Sequence, residues 1–173
     1  MKTFFLSLLL MTLTTVAAAR GITGQFDSID GGPLAIEDWR GQPVLVVNTA
    51  SQCAFTDQYA GLQALYDRYR ARGLVVLAVP SDDFRQELDS AAEVRAFCAL
   101  NYDLDLPMTD ISPVRGAAAH PFYRAVRAET GFEPAWNFNK ILIAPDGSVA
   151  ATWGAMVRPD SGMVRRVIEG FLK

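Results

Sequence analysis

An α/β sandwich, in which a mixed central β-sheet carries helices on both faces, is the fold class that the sequence predicts. Three observations predict it. Two continuous β-branched runs flank one segment of helical periodicity. A second pair of short runs meets across the turn signal Pro145-Asp146-Gly147. The 173 residues are 50% hydrophobic and 20% charged, which excludes a disordered or low-complexity chain and suits one domain with its own core.

The elements follow in order. Asp30-Gly31-Gly32-Pro33 marks the turn of an opening hairpin. Pro43 to Asn48 has a β-branched centre and reads as a strand buried on both faces. Leu62, Leu65, Tyr66 and Tyr69 recur at helical spacing, so a helix is expected from Thr56 to Arg70, capped by Thr56 and closed by Gly73. Leu74 to Val79 is a second buried strand, stopped by Pro80. Ser90 caps a helix over Ala91 to Leu100, with Val94, Phe97 and Cys98 on one face. A further helix is expected from Ala117 to Ala128, with Pro121 near its first turn. Asn139 to Ala144 and Val149 to Trp153 form a hairpin, and an amphipathic helix carrying Met163, Val164, Val167, Ile168, Phe171 and Leu172 closes the chain. The first strand, helix and second strand make a βαβ crossover with parallel strands, and the hairpin adds antiparallel ones. This order matches a thioredoxin-like layout.

The start of the chain reads differently. Lys2, the apolar run Phe4 to Leu13 and the small residues Ala17-Ala18-Ala19 have the layout of a secretory signal peptide. The run is shorter than the roughly 20 residues of a membrane span. An uncleaved N-terminal anchor is the alternative. The expected organisation is a signal peptide over residues 1–19 and one domain over residues 20–173, exported to an oxidising compartment. In a Gram-negative source that compartment is the periplasm. No stable membrane insertion is expected after cleavage. The net charge is −3 and no Lys/Arg block occurs, which argues against nucleic acid as a partner. One His and two Cys, with no C-x-x-C, leave no metal site to expect.

Few residues carry chemistry. Cys53 lies between the first buried strand and the first helix, beside free backbone N–H groups and the positive end of a helix dipole. Both favour a thiolate, the form that attacks a peroxide or a disulfide. A buried structural cysteine is the other reading. Trp136-Asn137-Phe138 precedes a strand, where an indole N–H and an amide N–H can hold a thiolate or a departing hydroxide; ordinary core packing with a turn Asn is its alternative. Cys98 is an inert core thiol, a partner sulfur for Cys53 or half of a structural disulfide. His120, before Pro121, is expected as a cap or surface residue. Asp82 and Asp83 read as loop or capping positions.

The string N-T-A-S-Q-C-A-F-T-D-Q-Y-A-G-L-Q-A-L-Y-D-R-Y, from Asn48 to Tyr69, resembles the glutathione peroxidase family. Gly73 to Glu87 resembles that family's G-x-x-V-L-x-F-P-C-N-Q-F-G-x-Q-E block. Trp136 to Lys140 resembles its W-N-F-x-K block, and Phe97 to Tyr102 the F-C-x-x-N-Y string of its cysteine-dependent members. The similarity runs from about Gln25 to the C-terminus.

The resemblance implies a thioredoxin fold and the reduction of hydroperoxides, with no cofactor beyond a thiol reductant, either a thioredoxin-like protein or glutathione. Cys53 matches the family's peroxidatic position, Trp136 and Asn137 match two members of its catalytic tetrad, and Cys98 matches the resolving cysteine of thioredoxin-dependent members. The tetrad glutamine falls on Asp83, in a block one residue short at Arg85. A charged carboxylate there would disfavour the Cys53 thiolate, so Asp83 points away, is protonated, or relays a proton. Ala54 replaces a family glycine. No long loop lies between Gly116 and Trp136, a form that in the family accompanies monomers. The function implied is a thiol peroxidase in antioxidant defence. Its alternatives are a peroxide sensor that relays oxidation to a partner, and a redox-inert protein with a structural disulfide.

Overall fold

The structure, a computed structural model, describes residues 21–173. The signal peptide expected over residues 1–19 falls outside the described residues. A two-stranded antiparallel hairpin, β1 (Gln25–Asp27) and β2 (Pro33–Ala35), opens the fold where the Asp-Gly-Gly-Pro turn was expected. Gly31 and Gly32 both take positive φ there, a backbone that only glycine adopts without strain.

The central sheet has four strands in the order β4-β3-β5-β6. Strand β3 (Val44–Thr49) runs parallel to β4 (Val75–Pro80) and antiparallel to β5 (Lys140–Ile143), which pairs antiparallel with β6 (Val149–Trp153). All residues of β3, β4 and β5 are buried, as strands covered on both faces must be. Leu45, Val47, Val76 and Ala78 face one apolar cluster with α1 (Gln58–Tyr69), α2 (Ala91–Tyr102) and α4 (Gly162–Glu169). Val44, Val46, Leu77 and Val79 face the other, against α3 (Pro121–Thr130) and the opening hairpin. The α/β fold with a mixed sheet and helices on both faces is therefore as expected. Pro80 ends the edge strand β4, whose outer side is bridged by Pro107–Thr109: Ala78 N–H donates to Pro107 O and Thr109 N–H to Ala78 O.

Helix boundaries moved for local reasons. Helix α1 begins at Gln58, and Asp57 at its N-cap makes no side-chain capping bond. Thr56 does not cap it: its hydroxyl donates instead to the Cys53 carbonyl. The residues ahead of α1 spend their donors on turns, with Thr56 N–H donating to Cys53 O and Gln58 N–H to Phe55 O. Gly73, at φ 96°, closes the 3₁₀ turn Arg70–Arg72 that follows α1. Ser90 caps α2 as expected: its Oγ accepts Glu93 N–H and donates to the Glu93 carboxylate. Helix α3 starts at Pro121 rather than Ala117, because the His120 ring accepts Phe122 N–H and Pro121 takes the first helical position. Helix α4 buries Val164 and Ile168 but ends at Glu169, leaving Met163 exposed and Phe171 and Leu172 beyond it, half-buried. Among the described residues no helix is long and apolar enough to cross a membrane.

Candidate active site

Strand β3 delivers the chain to a turn between its C-terminal end and α1, at the sheet end where α/β folds place ligands. Cys53 sits in that turn with 6% of its surface exposed. The backbone N–H of Phe55 lies 3.4 Å from its Sγ. The N–H aimed at the sulfur thus belongs to the turn, three positions before the helix begins, rather than to the first turn of α1. The turn is anchored on both sides. Ser51 N–H donates to Glu87 Oε1 at 2.9 Å, and Gln52 N–H donates to Gln86 O at 2.9 Å.

The Trp136-Asn137-Phe138 segment is folded against the same end of β3 by Asn48. The Asn48 amide nitrogen donates to Trp136 O at 2.9 Å, its Oδ1 accepts Asn139 N–H at 3.0 Å, and its carbonyl accepts Phe138 N–H at 2.6 Å. Phe138 is held at φ 59°, an unusual backbone for an aromatic residue. Its burial against Tyr59 (ring centroids 5.3 Å apart, edge-on) compensates that strain. Lys140 closes the segment from below, donating from Nζ to Phe138 O at 2.7 Å and Gln58 Oε1 at 2.5 Å. Burial, helped by Arg158, pulls its ammonium down to about 7.

Asn137 is fully buried, and its Nδ2 donates to Gln86 Oε1 at 2.9 Å. Gln86 therefore connects Asn137, through its side chain, to the residue before Cys53, through its backbone. Trp136 stands 40% exposed beside Phe84 (5.3 Å between centroids), and Arg115 lies 5.2 Å over the opposite partner, Phe84.

Asp83 is elsewhere engaged. Its Oδ2 accepts Val114 N–H at 2.6 Å and Arg115 N–H at 3.0 Å, which ties the carboxylate to a neighbouring turn. Of the three alternatives for Asp83, pointing away is the one this geometry supports, and the side-chain amide beside Asn137 is Gln86. Sequence reasoning passed over Gln86 because the block is one residue short, which shifts any residue-by-residue match to the family string. The signal that would have found it is the lone Gln of the loop beside the amide-rich W-N-F segment.

Cys98 lies on α2, 2% exposed, in the apolar cluster that also holds Cys53. Both cysteines are free thiols. Burial pushes the Cys98 thiol up to about 11, and the nearby Glu87 charge adds to that, while Tyr59 opposes it. His120 caps α3 and stacks on Phe26 at 3.8 Å, away from this site. Among the described residues no three His, Cys, Asp or Glu side chains gather as a metal site.

Comparison with known proteins points one way. Residues 22–127 match the family model described as glutathione peroxidase. The hydroperoxy fatty acid reductase gpx1 of Synechocystis sp. is 39% identical over 145 residues, covering 78% of this chain and 86% of that one. Human glutathione peroxidase 7 is 40% identical over 149 residues, 82% and 80% of the two chains. Among solved structures, the apo form of Trgpx superposes with a TM-score of 0.67 at 26% identity, covering 85% of this chain and 91% of that one. A thioredoxin-family thiol:disulfide interchange protein of Chlorobium tepidum shares the fold alone, with a TM-score of 0.64 at 13% identity over 91% and 99% of the chains.

Proposed function

The chain belongs to the glutathione peroxidase family and is a thiol peroxidase of antioxidant defence, and from that premise we propose that Cys53 is the sulfur that reacts with the peroxide and Cys98 the sulfur that resolves it. The Cys53 thiolate attacks the O–O bond, leaving a sulfenic acid on Cys53 and releasing water or an alcohol. Cys98 then condenses with the sulfenic acid to give a disulfide and water. A thiol reductant returns both sulfurs to thiols. Because Cys98 is buried in mid-helix, forming the disulfide requires α2 to open locally.

One observation carries this reading: a backbone N–H is aimed at the Cys53 sulfur in a turn that Gln86 ties to Asn137. Trp136, Asn137 and Gln86 then form the polar and aromatic wall that orients the reacting oxygen, while Asp83 shapes the loop that carries Gln86. The half-exposed Trp136–Phe84 pair favours organic hydroperoxides beside hydrogen peroxide, in keeping with the fatty-acid substrate named for the Synechocystis relative. The mature protein, freed of residues 1–19, works as an exported monomer reset by a thioredoxin-like protein or glutathione, with no metal or prosthetic group. The test is hydrogen peroxide consumption by the protein and two variants. Cys53→Ser abolishes turnover, and Cys98→Ser accumulates a trappable sulfenic acid on Cys53. Full turnover in Cys53→Ser discards the proposal.

A further inference from the structure

Lys140 has no part in the chemistry above, yet it holds the turn that carries Asn137. It is fully buried at the start of β5, and its strand partners, Val47 of β3 and Trp153 of β6, are uncharged. Among the described residues no carboxylate pairs with it. A buried ammonium without a counter-charge is costly, and an apolar side chain of similar length would fill the same space without that cost. The bonds it makes are specific. Nζ donates to Phe138 O at 2.7 Å and to Gln58 Oε1 at 2.5 Å, and Gln58 Nε2 donates onward to Ala155 O at 2.8 Å. Phe138 is thereby gripped at both ends, since its N–H donates to Asn48 O at 2.6 Å. The grip matters because Phe138 stands at φ 59°, in the left-handed region that a bulky residue seldom takes. That backbone turns the chain between Asn137, whose amide reaches Gln86, and Lys140, which enters β5.

We propose that Lys140 is a positioning residue for the peroxide step: its ammonium clamps the Phe138 carbonyl to α1, and the clamp keeps Asn137 where it meets Gln86 beside the Cys53 turn. The inference rests on Cys53 being the sulfur that meets the peroxide. Lys140 makes no bond to the peroxide and acts only through Phe138 and Asn137. Its charge matters to the clamp, because an ammonium makes charge-assisted hydrogen bonds, roughly twice as strong as those of a neutral amine. Burial, helped by Arg158, holds the ammonium at about 7, so the clamp weakens as pH rises through that value. Arg158 faces Lys140 from the loop after β6 and is itself paired with Asp57 and Asp160. On α1, Tyr59 beside Gln58 is kept neutral by burial.

The experiment measures Cys53 oxidation by hydrogen peroxide in the full chain carrying Cys98→Ser, so that one sulfur is read. Stopped-flow rates between about pH 6 and 9 are each divided by the thiolate fraction taken from ultraviolet absorbance. In this parent protein the rate per thiolate is expected to fall about three- to tenfold across that range, with its midpoint at about 7. Lys140→Met removes the clamp, and its rate per thiolate is expected to be about tenfold below the parent's at about pH 6 and to stay level as pH rises. Gln58→Glu sets a carboxylate against the ammonium and is expected to move the fall upward by about 1–3 pH units. It decides the matter if Lys140→Met does not fold. A lysine that only supported the fold would lower stability without giving the rate a pH profile of its own. A flat rate per thiolate in the parent, a fall that either folded variant leaves unchanged, or a Lys140→Met rate equal to the parent's at about pH 6 overturns the assignment. A Cys53 that hydrogen peroxide leaves unoxidised overturns instead the role of that sulfur, and the two failures are thereby told apart.

Discussion

Among the described residues one backbone N–H, that of Phe55, reaches the Cys53 sulfur, and Gln86 and Asn137 are joined by one side-chain amide bond. That pairing makes Gln86 and Asp83 separable by mutation. Gln86→Ala removes the acceptor that orients Asn137 and is expected to lower the rate of Cys53 oxidation about tenfold. Asp83→Ala loses two charge-assisted bonds to the Val114–Arg115 turn and is expected to lower stability by about 1–2 kcal/mol while affecting that rate less. Stopped-flow oxidation and urea unfolding of both variants check the contrast; the reverse order of rates would return the glutamine's role to Asp83. A second outcome concerns the two thiols. Cys98, enclosed and with its thiol pushed up to about 11, is expected to resist iodoacetamide at pH 8 in the reduced folded protein, while Cys53 is alkylated. Peptide mapping after timed alkylation reads this directly.

At the scale of elements, the proposed mechanism asks helix α2 to be stable enough to hide Cys98 and loose enough to release it. Its start is set by Ser90, whose hydroxyl bonds both the backbone and the side chain of Glu93. Ser90→Ala is expected to cost about 1 kcal/mol of stability, measured by urea unfolding. Its far end is closed by Asp103 in the left-handed region at φ 49°. Asp103→Gly relieves that conformation at the expense of a more flexible unfolded chain, so its expected effect is smaller. The elements were largely legible in the sequence, because the buried strands read as unbroken runs bounded by Pro and Gly and the Ser90 cap has its Glu three residues on. What was not legible has a physical cause in each case. Residues 53–57 make hydrogen bonds to one another before a helix can begin, which no periodicity reports. Ala117–Ala119 favour a helix by propensity, but the His120–Pro121 cap starts it later. In the site, Cys53, Trp136 and Asn137 stood out by residue type and motif, whereas Gln86 and Glu87 acquire their places only through contacts between distant segments, Gln52 with Gln86 and Ser51 with Glu87.

For the molecule as a whole, the end of the sheet that carries the site also buries a cation, and this sets a pH dependence. The folded protein holds Lys140 at about 7, below the ordinary lysine value of roughly 10.4. Between those values the unfolded chain binds more protons than the folded one, so this residue's contribution to stability rises with pH from about 7 upward. Above about pH 9 the Cys98 thiol works in the opposite sense, since its folded value is raised and the stability of its neutral form is lost as pH climbs toward 11. Urea unfolding of wild type and Lys140→Met between pH 7 and 9 is expected to show the wild type gaining on the variant as pH rises; a constant difference would mean that Lys140 does not titrate there. The account as a whole stands on one sulfur. Its most direct measurement is the mass of the intact protein after one equivalent of hydrogen peroxide, followed by peptide mapping. The expected result is a Cys53–Cys98 disulfide in the wild type and a single added oxygen on Cys53 in Cys98→Ser. Oxygen on another residue, or an unmodified Cys53 after the peroxide is consumed, would contradict it.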